Sequence, residues 1–133
     1  MDMYQEIILD HYRHPHNKGE MKDSTVRTFD TNPLCGDAIT IYLKIKHNKI
    51  EDVKFMGTGC AISLASASML TDEIKGKTLD EVRKLTKDDI LKFLGIEISA
   101  VRLKCALLSL KVLKVGVYNY LGSKEKVKDE FNF

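Results

Sequence analysis

Residues 39–56 carry the pattern that most narrows the fold. Ile39, Ile41, Leu43 and Ile45 alternate with Thr40, Tyr42, Lys44 and Lys46. Successive side chains of a strand point to opposite faces, so this run is a strand with one buried face. After His47-Asn48-Lys49, residues 50–56 return with Val53 and Phe55 on a common side. Two such runs joined by a short polar connection predict an antiparallel hairpin. Residues 25–29 add a shorter strand ahead of it.

Downstream the period changes to that of helices. Residues 61–74 combine small side chains (Ala61, Ser63, Ala65, Ser66, Ala67, Ser68) with the bulk of Ile62, Met69 and Ile74, and Gly76 closes the segment. Its small side chains let such a helix lie close to a neighbour. Thr78-Leu79-Asp80-Glu81 is a capping box that starts another helix. Thr86 with Asp88 and Asp89 starts a third, which Gly95 ends. Residues 99–120 predict the longest helix, with one stripe of Val101, Leu108, Val112 and Val115 and a second of Leu103, Leu107, Leu110 and Val117. One helix precedes the strands, over residues 3–12, with Tyr4, Ile7, Ile8 and His11 on one face. Pro15 and Asn17-Lys18-Gly19 stop it. Strands grouped before helices predict an α+β fold, a three-stranded antiparallel sheet with helices packed on one face.

At 133 residues the chain fits a single domain spanning 1–133 that buries a core without disulfides. The net charge is only +2 and the basic residues are interspersed with acidic ones, so no nucleic-acid partner is expected. The N-terminus lacks the basic and apolar regions of a secretory signal, and the uncharged stretch 57–70 is too short and too rich in Ser and Gly to span a bilayer. The expectation is a cytoplasmic protein with no membrane association. The cysteines number three, none in a C-x-x-C pair, which argues against a disulfide framework.

Each cysteine has a suggestive neighbourhood. Cys35 lies in Asn32-Pro33-Leu34-Cys35-Gly36-Asp37, where Pro33 and Gly36 favour a turn. In extended backbone residues i and i+2 face the same side, so the Cys35 thiol and the Asp37 carboxylate can converge. Cys60 follows Gly57-Thr58-Gly59 at a strand-to-helix junction, where the positive end of a helix favours a thiolate. Cys105 follows Arg102 and Lys104, whose charges favour a thiolate too. Three sulfurs and one oxygen make a tetrahedral ligand set carrying about −4, which Zn²⁺ or an oxidised [2Fe–2S] core brings to about −2. Arg102 and Lys104 are candidates to offset the remainder. From spacing alone, a shared metal site and three separate structural cysteines both stand open. His11, His14 and His16 are close in sequence, but a solvated helix end is the simpler account of them, with His11 packed. Tyr42, Phe55 and Phe93 are expected in the core, and Lys124, Lys126 and Lys128 in a solvated tail.

These residues carry a resemblance. Asp10-His11-Tyr12 with Pro15, Asn17 and Gly19, then Asn32-Pro33-Leu34-Cys35-Gly36-Asp37, are similar to motifs of the IscU/SufU scaffolds and the N-terminal domain of NifU. So is the run Phe55-x-Gly57-x-Gly59-Cys60-Ala61-Ile62-Ser63-x-Ala65-Ser66-Ala67-Ser68, followed by Gly76-Lys77-Thr78 and Arg102-Leu103-Lys104-Cys105. The resemblance covers nearly the whole chain. It implies a SufE/IscU-like α+β fold and a transient [2Fe–2S] cluster on Cys35, Asp37, Cys60 and Cys105, with Zn²⁺ or iron in the protein as isolated. It implies a cysteine desulfurase as sulfur donor, with Cys105 or Cys60 accepting the persulfide, and apo iron–sulfur proteins as recipients. The implied role is that of a scaffold and carrier rather than an enzyme, acting as a monomer or weak homo-oligomer. The alternative it offers is a zinc-dependent sulfur acceptor that stimulates the desulfurase. Lys104 stands where IscU proteins usually have His, as in SufU-like members. The chain lacks the insertion typical of SufU proteins before the last cysteine. Residues 96–102 also lack the two prolines of the stretch a specialised Hsp70 chaperone recognises, so that chaperone is not expected.

Overall fold

The computed structural model describes residues 3–33 and 36–122. Its elements run α1 (Met3–Arg13), β1 (Val26–Asn32), β2 (Asp37–Lys46), β3 (Lys49–Thr58), α2 (Ala61–Ile74), α3 (Leu79–Arg83), α4 (Lys87–Leu94) and α5 (Ala100–Leu121). The strands form one antiparallel sheet in the order β1-β2-β3. The α+β expectation therefore holds, and β1 extends further toward Asp37 than the sequence pattern suggested.

The hairpin is tighter than a three-residue connection. His47 and Asn48 alone form the turn, with φ of 53° and 62°. Positive φ at both central positions is the turn whose twist matches that of the flanking strands. Register runs evenly from Ala38 opposite Thr58 to Lys44 opposite Asp52, then shifts, with Ile45 opposite Ile50. Ile39, Ile41, Leu43 and Ile45 are buried, as are Val53 and Phe55, on the face that meets the helices. Tyr42 is buried too, whereas Phe93 is only partly so.

The outer edge of β3 is covered by chain rather than left to solvent. Phe55 N–H donates to the Asn17 carbonyl at 2.9 Å and Gly19 N–H to the Phe55 carbonyl at 2.9 Å. Near the hairpin, Ile50 N–H donates to the Lys77 carbonyl and Gly76 N–H to the Ile50 carbonyl, both at 2.8 Å. Such covering removes a template for strand pairing between molecules.

The helices begin where the sequence signals placed them. Thr78 and Glu81 make a reciprocal capping box at α3; at α4 the Asp89 carboxylate accepts the Thr86 backbone N–H at 2.8 Å, and Gly95 ends α4 in the left-handed conformation. Two expectations need correction. On α1 only Ile8 is buried; Tyr4 and Ile7 are partly exposed, because α1 packs along α2 by a narrow seam. On α5 the two-stripe description fails. Val101 is 69 % exposed in the first turn, while every residue from 105 to 110 is buried, and Lys114 and Gly116 are buried further on. This helix is hemmed in by the sheet, α2, α3 and α4, so its burial is not confined to one side. The lysines at 124, 126 and 128 lie outside the described residues.

Gly116 is the point at which α5 approaches β1. A Cβ there would lie 2.5 Å from Thr28 Oγ1 and 3.2 Å from Val26 Cγ1. Gly to Ala within a helix ordinarily stabilises by about 1 kcal/mol. Here Thr28 is β-branched and stiff, so the crowding wins. We expect Gly116→Ala to destabilise by about 1–3 kcal/mol in urea unfolding, and by less in a Thr28→Ala background.

Candidate functional site

Asp37 opens β2, directly opposite Asn32 at the end of β1. Its carboxylate is 1 % exposed. Such burial of an ionisable group demands partners. Asp37 Oδ1 accepts the backbone N–H of Cys60 at 3.0 Å. The Ser63 hydroxyl lies 3.1 Å from the same oxygen and 3.1 Å from the Cys60 carbonyl. The second oxygen, Asp37 Oδ2, is buried and has no hydrogen-bond partner among the described residues.

The β3–α2 junction makes this approach possible. Gly59 has φ of 150°, a conformation costly for a residue with a Cβ, and a Cβ there would sit 2.3 Å from Asp37 Oδ1. Cys60 follows as the N-cap of α2, extended in backbone and with no side-chain capping bond. Its sulfur stays half-buried, 3.8 Å from Ser63 Oγ. Cys105 comes from α5, wholly buried, with Asn32 Nδ2 directed at its sulfur at 3.5 Å. Neither thiol is in a disulfide.

One ligand atom from each of Asp37, Cys60 and Cys105 lies within 4.8 Å of the others. Three separate stretches of chain thus converge on one locus. Cys35 lies outside the described residues, two positions before Asp37 in the chain. Arg102 and Lys104 are both exposed, and Lys104 instead lines a cleft of about 210 Å³ with Asn32, Pro33 and Lys111 beside the cluster. Sequence reasoning missed Ser63 and Asn32 as supports. Both stood inside quoted motifs, but only the fold turns them toward Asp37 Oδ1 and the Cys105 sulfur.

The histidines sit as expected, His14 and His16 exposed and His11 half-buried, but two of them meet a distant carboxylate. His11 and His16 gather with Asp72 of α2, one ligand atom of each within 4.8 Å of the others. Burial and the neighbouring His16 hold the His11 imidazole below its ordinary pKa, and Asp72 and Asp10 pull it the other way.

A three-stranded sheet under helices, with a buried carboxylate and two thiols converging at one end, defines a small α+β domain bearing a constellation of metal-ligand type. The chain belongs to the NifU-like N terminal domain family, whose model matches residues 3–127. It is 37% identical over 130 residues to the iron-sulfur cluster assembly scaffold protein IscU 1 of Archaeoglobus fulgidus, covering 96% of this chain and 84% of that protein. It is 39% identical over 132 residues to the zinc-dependent sulfurtransferase SufU of Bacillus subtilis, covering 86% of this chain and 89% of that protein. Among solved structures, a SUF-system scaffold described as putative in iron-sulfur cluster assembly, from Fervidobacterium islandicum, superposes with a TM-score of 0.72 at 30% identity. That likeness covers 84% of this chain and 94% of the solved one.

Substitutions that disturb the carboxylate are informative here. Gly59→Ala should cost about 1–3 kcal/mol in stability, from backbone strain alone. Ser63→Ala should cost about 1 kcal/mol, through loss of one hydrogen bond to Asp37. Chemical unfolding curves check both, and equal stability of Gly59→Ala and the unaltered protein would contradict the crowding described.

Proposed function

We propose that this chain is an iron–sulfur cluster assembly scaffold in which Cys35, Asp37, Cys60 and Cys105 receive iron and sulfur, hold a nascent [2Fe–2S] cluster and release it to apo-proteins. The observation that carries the reading is the buried convergence of Asp37, Cys60 and Cys105, with one carboxylate oxygen that has no partner among the described residues. An orphaned buried oxygen costs about 1–3 kcal/mol unless something binds it. A cation at the cluster would meet that need. The name of the Archaeoglobus relative favours the same function.

Sulfur would come from a cysteine desulfurase as a persulfide. A scaffold thiolate attacks the outer sulfur, the S–S bond of the persulfide breaks, and the donor cysteine leaves as a thiolate. Transfer to half-buried Cys60 needs no rearrangement of the described residues; transfer to buried Cys105 needs the surrounding chain to open. The iron and sulfide are cargo, so the site has to hold them and also let them go.

Asp37 suits the release step. A carboxylate is a harder ligand than thiolate, and clusters are normally held by thiolates. Its Oδ1 is already engaged by Cys60 N–H and Ser63, which draws electron density from the carboxylate and weakens it as a donor. The Asn32 amide directed at the Cys105 sulfur acts in the same sense on that ligand. The whole chain would work as one domain in the cytoplasm, consistent with there being no helix among the described residues long and apolar enough to cross a membrane.

A second reading has its own support. Lys104 precedes Cys105, and the Bacillus relative is a zinc-dependent sulfurtransferase. In that reading the four residues hold a zinc ion and one thiolate exchanges off it to take the sulfur.

Anaerobic reconstitution with ferrous iron, cysteine, a cysteine desulfurase and a thiol reductant, which together with the iron supplies the electrons that take persulfide sulfur to sulfide, tests the choice by absorption and Mössbauer spectra. A [2Fe–2S] signature is expected, lost in Cys60→Ser. Asp37→Ala should retain the cluster longer and pass it to an apo-ferredoxin more slowly. Identical transfer by both proteins removes the role given to Asp37, and tight retention of Zn²⁺ with no cluster formed favours the sulfur-acceptor reading.

A further inference from the structure

We propose that His11, His16 and Asp72 form a second metal site, separate from the thiol–carboxylate cluster and suited to a divalent first-row transition ion of the zinc and cobalt class. The two imidazoles come from the end of α1 and the chain after it, and the carboxylate from the last turn of α2, so the packing of α1 on α2 assembles the set. The His11 and His16 ring centroids are 4.5 Å apart and tilted by 47°. Imidazole with carboxylate and no thiol suits zinc, cobalt, nickel or iron(II) rather than calcium or magnesium, which prefer oxygen-only sets.

The donors are held as ligands usually are, by partners behind them. Ser68 Oγ lies 2.7 Å from His11 Nδ1 and also accepts the His16 backbone N–H at 2.8 Å. In the tautomer that donates Nδ1–H to that hydroxyl, His11 presents Nε2 as its free lone pair. Asn17 donates to Asp72 Oδ1 at 2.9 Å and to Thr71 Oγ1 at 3.0 Å, fixing the carboxylate. His16 Nδ1 and Asp72 Oδ2 face each other at 2.5 Å. The ion would bind between them. Ligand bonds of about 2.0–2.2 Å require the two atoms to separate to roughly 3 Å. Both side chains are nearly half exposed, at 48% and 46%, so they have room to turn and water can complete the coordination.

The site is remote from the thiols. Asp72 lies twelve residues beyond Cys60 on the same helix, about 18 Å along its axis. Its consequence is therefore structural. Asn17 belongs to the segment that covers the edge of β3, so an ion here ties that segment to α2.

Anaerobic titration of the full chain with Co²⁺ separates the two sites. Cobalt on cysteine gives intense sulfur-to-metal charge transfer; cobalt on nitrogen and oxygen gives only weak visible bands. We expect a second equivalent that adds the weak bands without charge transfer and raises the melting temperature. His16→Gln and Asp72→Asn should each weaken that equivalent at least about tenfold, and Asn17→Ala by about 10–100-fold, with the charge-transfer site unchanged. With Zn²⁺, side-chain ¹⁵N NMR should shift the His11 and His16 nitrogens and leave His14 and His47 in place. A single equivalent, or a second one indifferent to His16→Gln and Asp72→Asn, overturns the assignment while leaving the scaffold reading intact.

Discussion

The structure turns on one carboxylate. Asp37 Oδ1 accepts the N–H of Cys60, the first residue of the chain's passage from sheet to helix. In an ordinary capping box the third residue of a helix reaches back to the N-cap amide. Here that third residue is Ser63, too short for the task, and an aspartate from another strand supplies the acceptor. The start of β2 and the start of α2 are thereby locked together. The arrangement works only because residue 59 has no Cβ, which would otherwise occupy the space of the carboxylate.

The same lock leaves one oxygen over. Among the described residues Asp37 Oδ2 has no hydrogen-bond partner, while the half-buried Cys60 sulfur makes a long 3.8 Å contact with Ser63 Oγ. Stability alone would favour pairing that oxygen, which suits the ligand role proposed for it. Cys105 reaches the locus because α5 runs through the most buried part of the molecule, close enough to β1 at Gly116 to touch Thr28 and Val26 had it a side chain. Regular elements and their ends therefore carry these three side chains, which suits the scaffold role proposed for them, since ligands of a labile cargo must hold position while the occupant changes.

Much of this was legible in the chain. Period-two alternation at 39–45 fixed the buried face of β2, and the capping residues at Thr78 and Thr86 fixed two helix starts, because both signals are local. The α5 stripes misled for a complementary reason. Periodicity reports one preferred face, whereas this helix is enclosed by neighbours on several sides, so Ala106, Leu113 and even Lys114 are buried off-stripe. The histidines agree with the solvated helix end read from Pro15 and the polar residues around it, His14 and His16 exposed and His11 half-buried, but nothing nearby in sequence announces Asp72, more than fifty residues away.

Sequence by itself determined the kinds of donor available and the elements that carry them: a glycine-flanked cysteine before a helix, an aspartate two residues past another cysteine, a third cysteine within the last helix. These follow from local chemistry, from backbone freedom at Gly59 and from strand and helix period. Tertiary structure decided what those donors do together. Distances across 23 residues between Asp37 and Cys60 and across 73 between Asn32 and Cys105 are set by sheet register and helix packing, to which no local pattern gives access. Only the fold could show that one oxygen of Asp37 is engaged twice while the other has no partner among the described residues, because the difference lies in what surrounds the carboxylate and not in the residue itself.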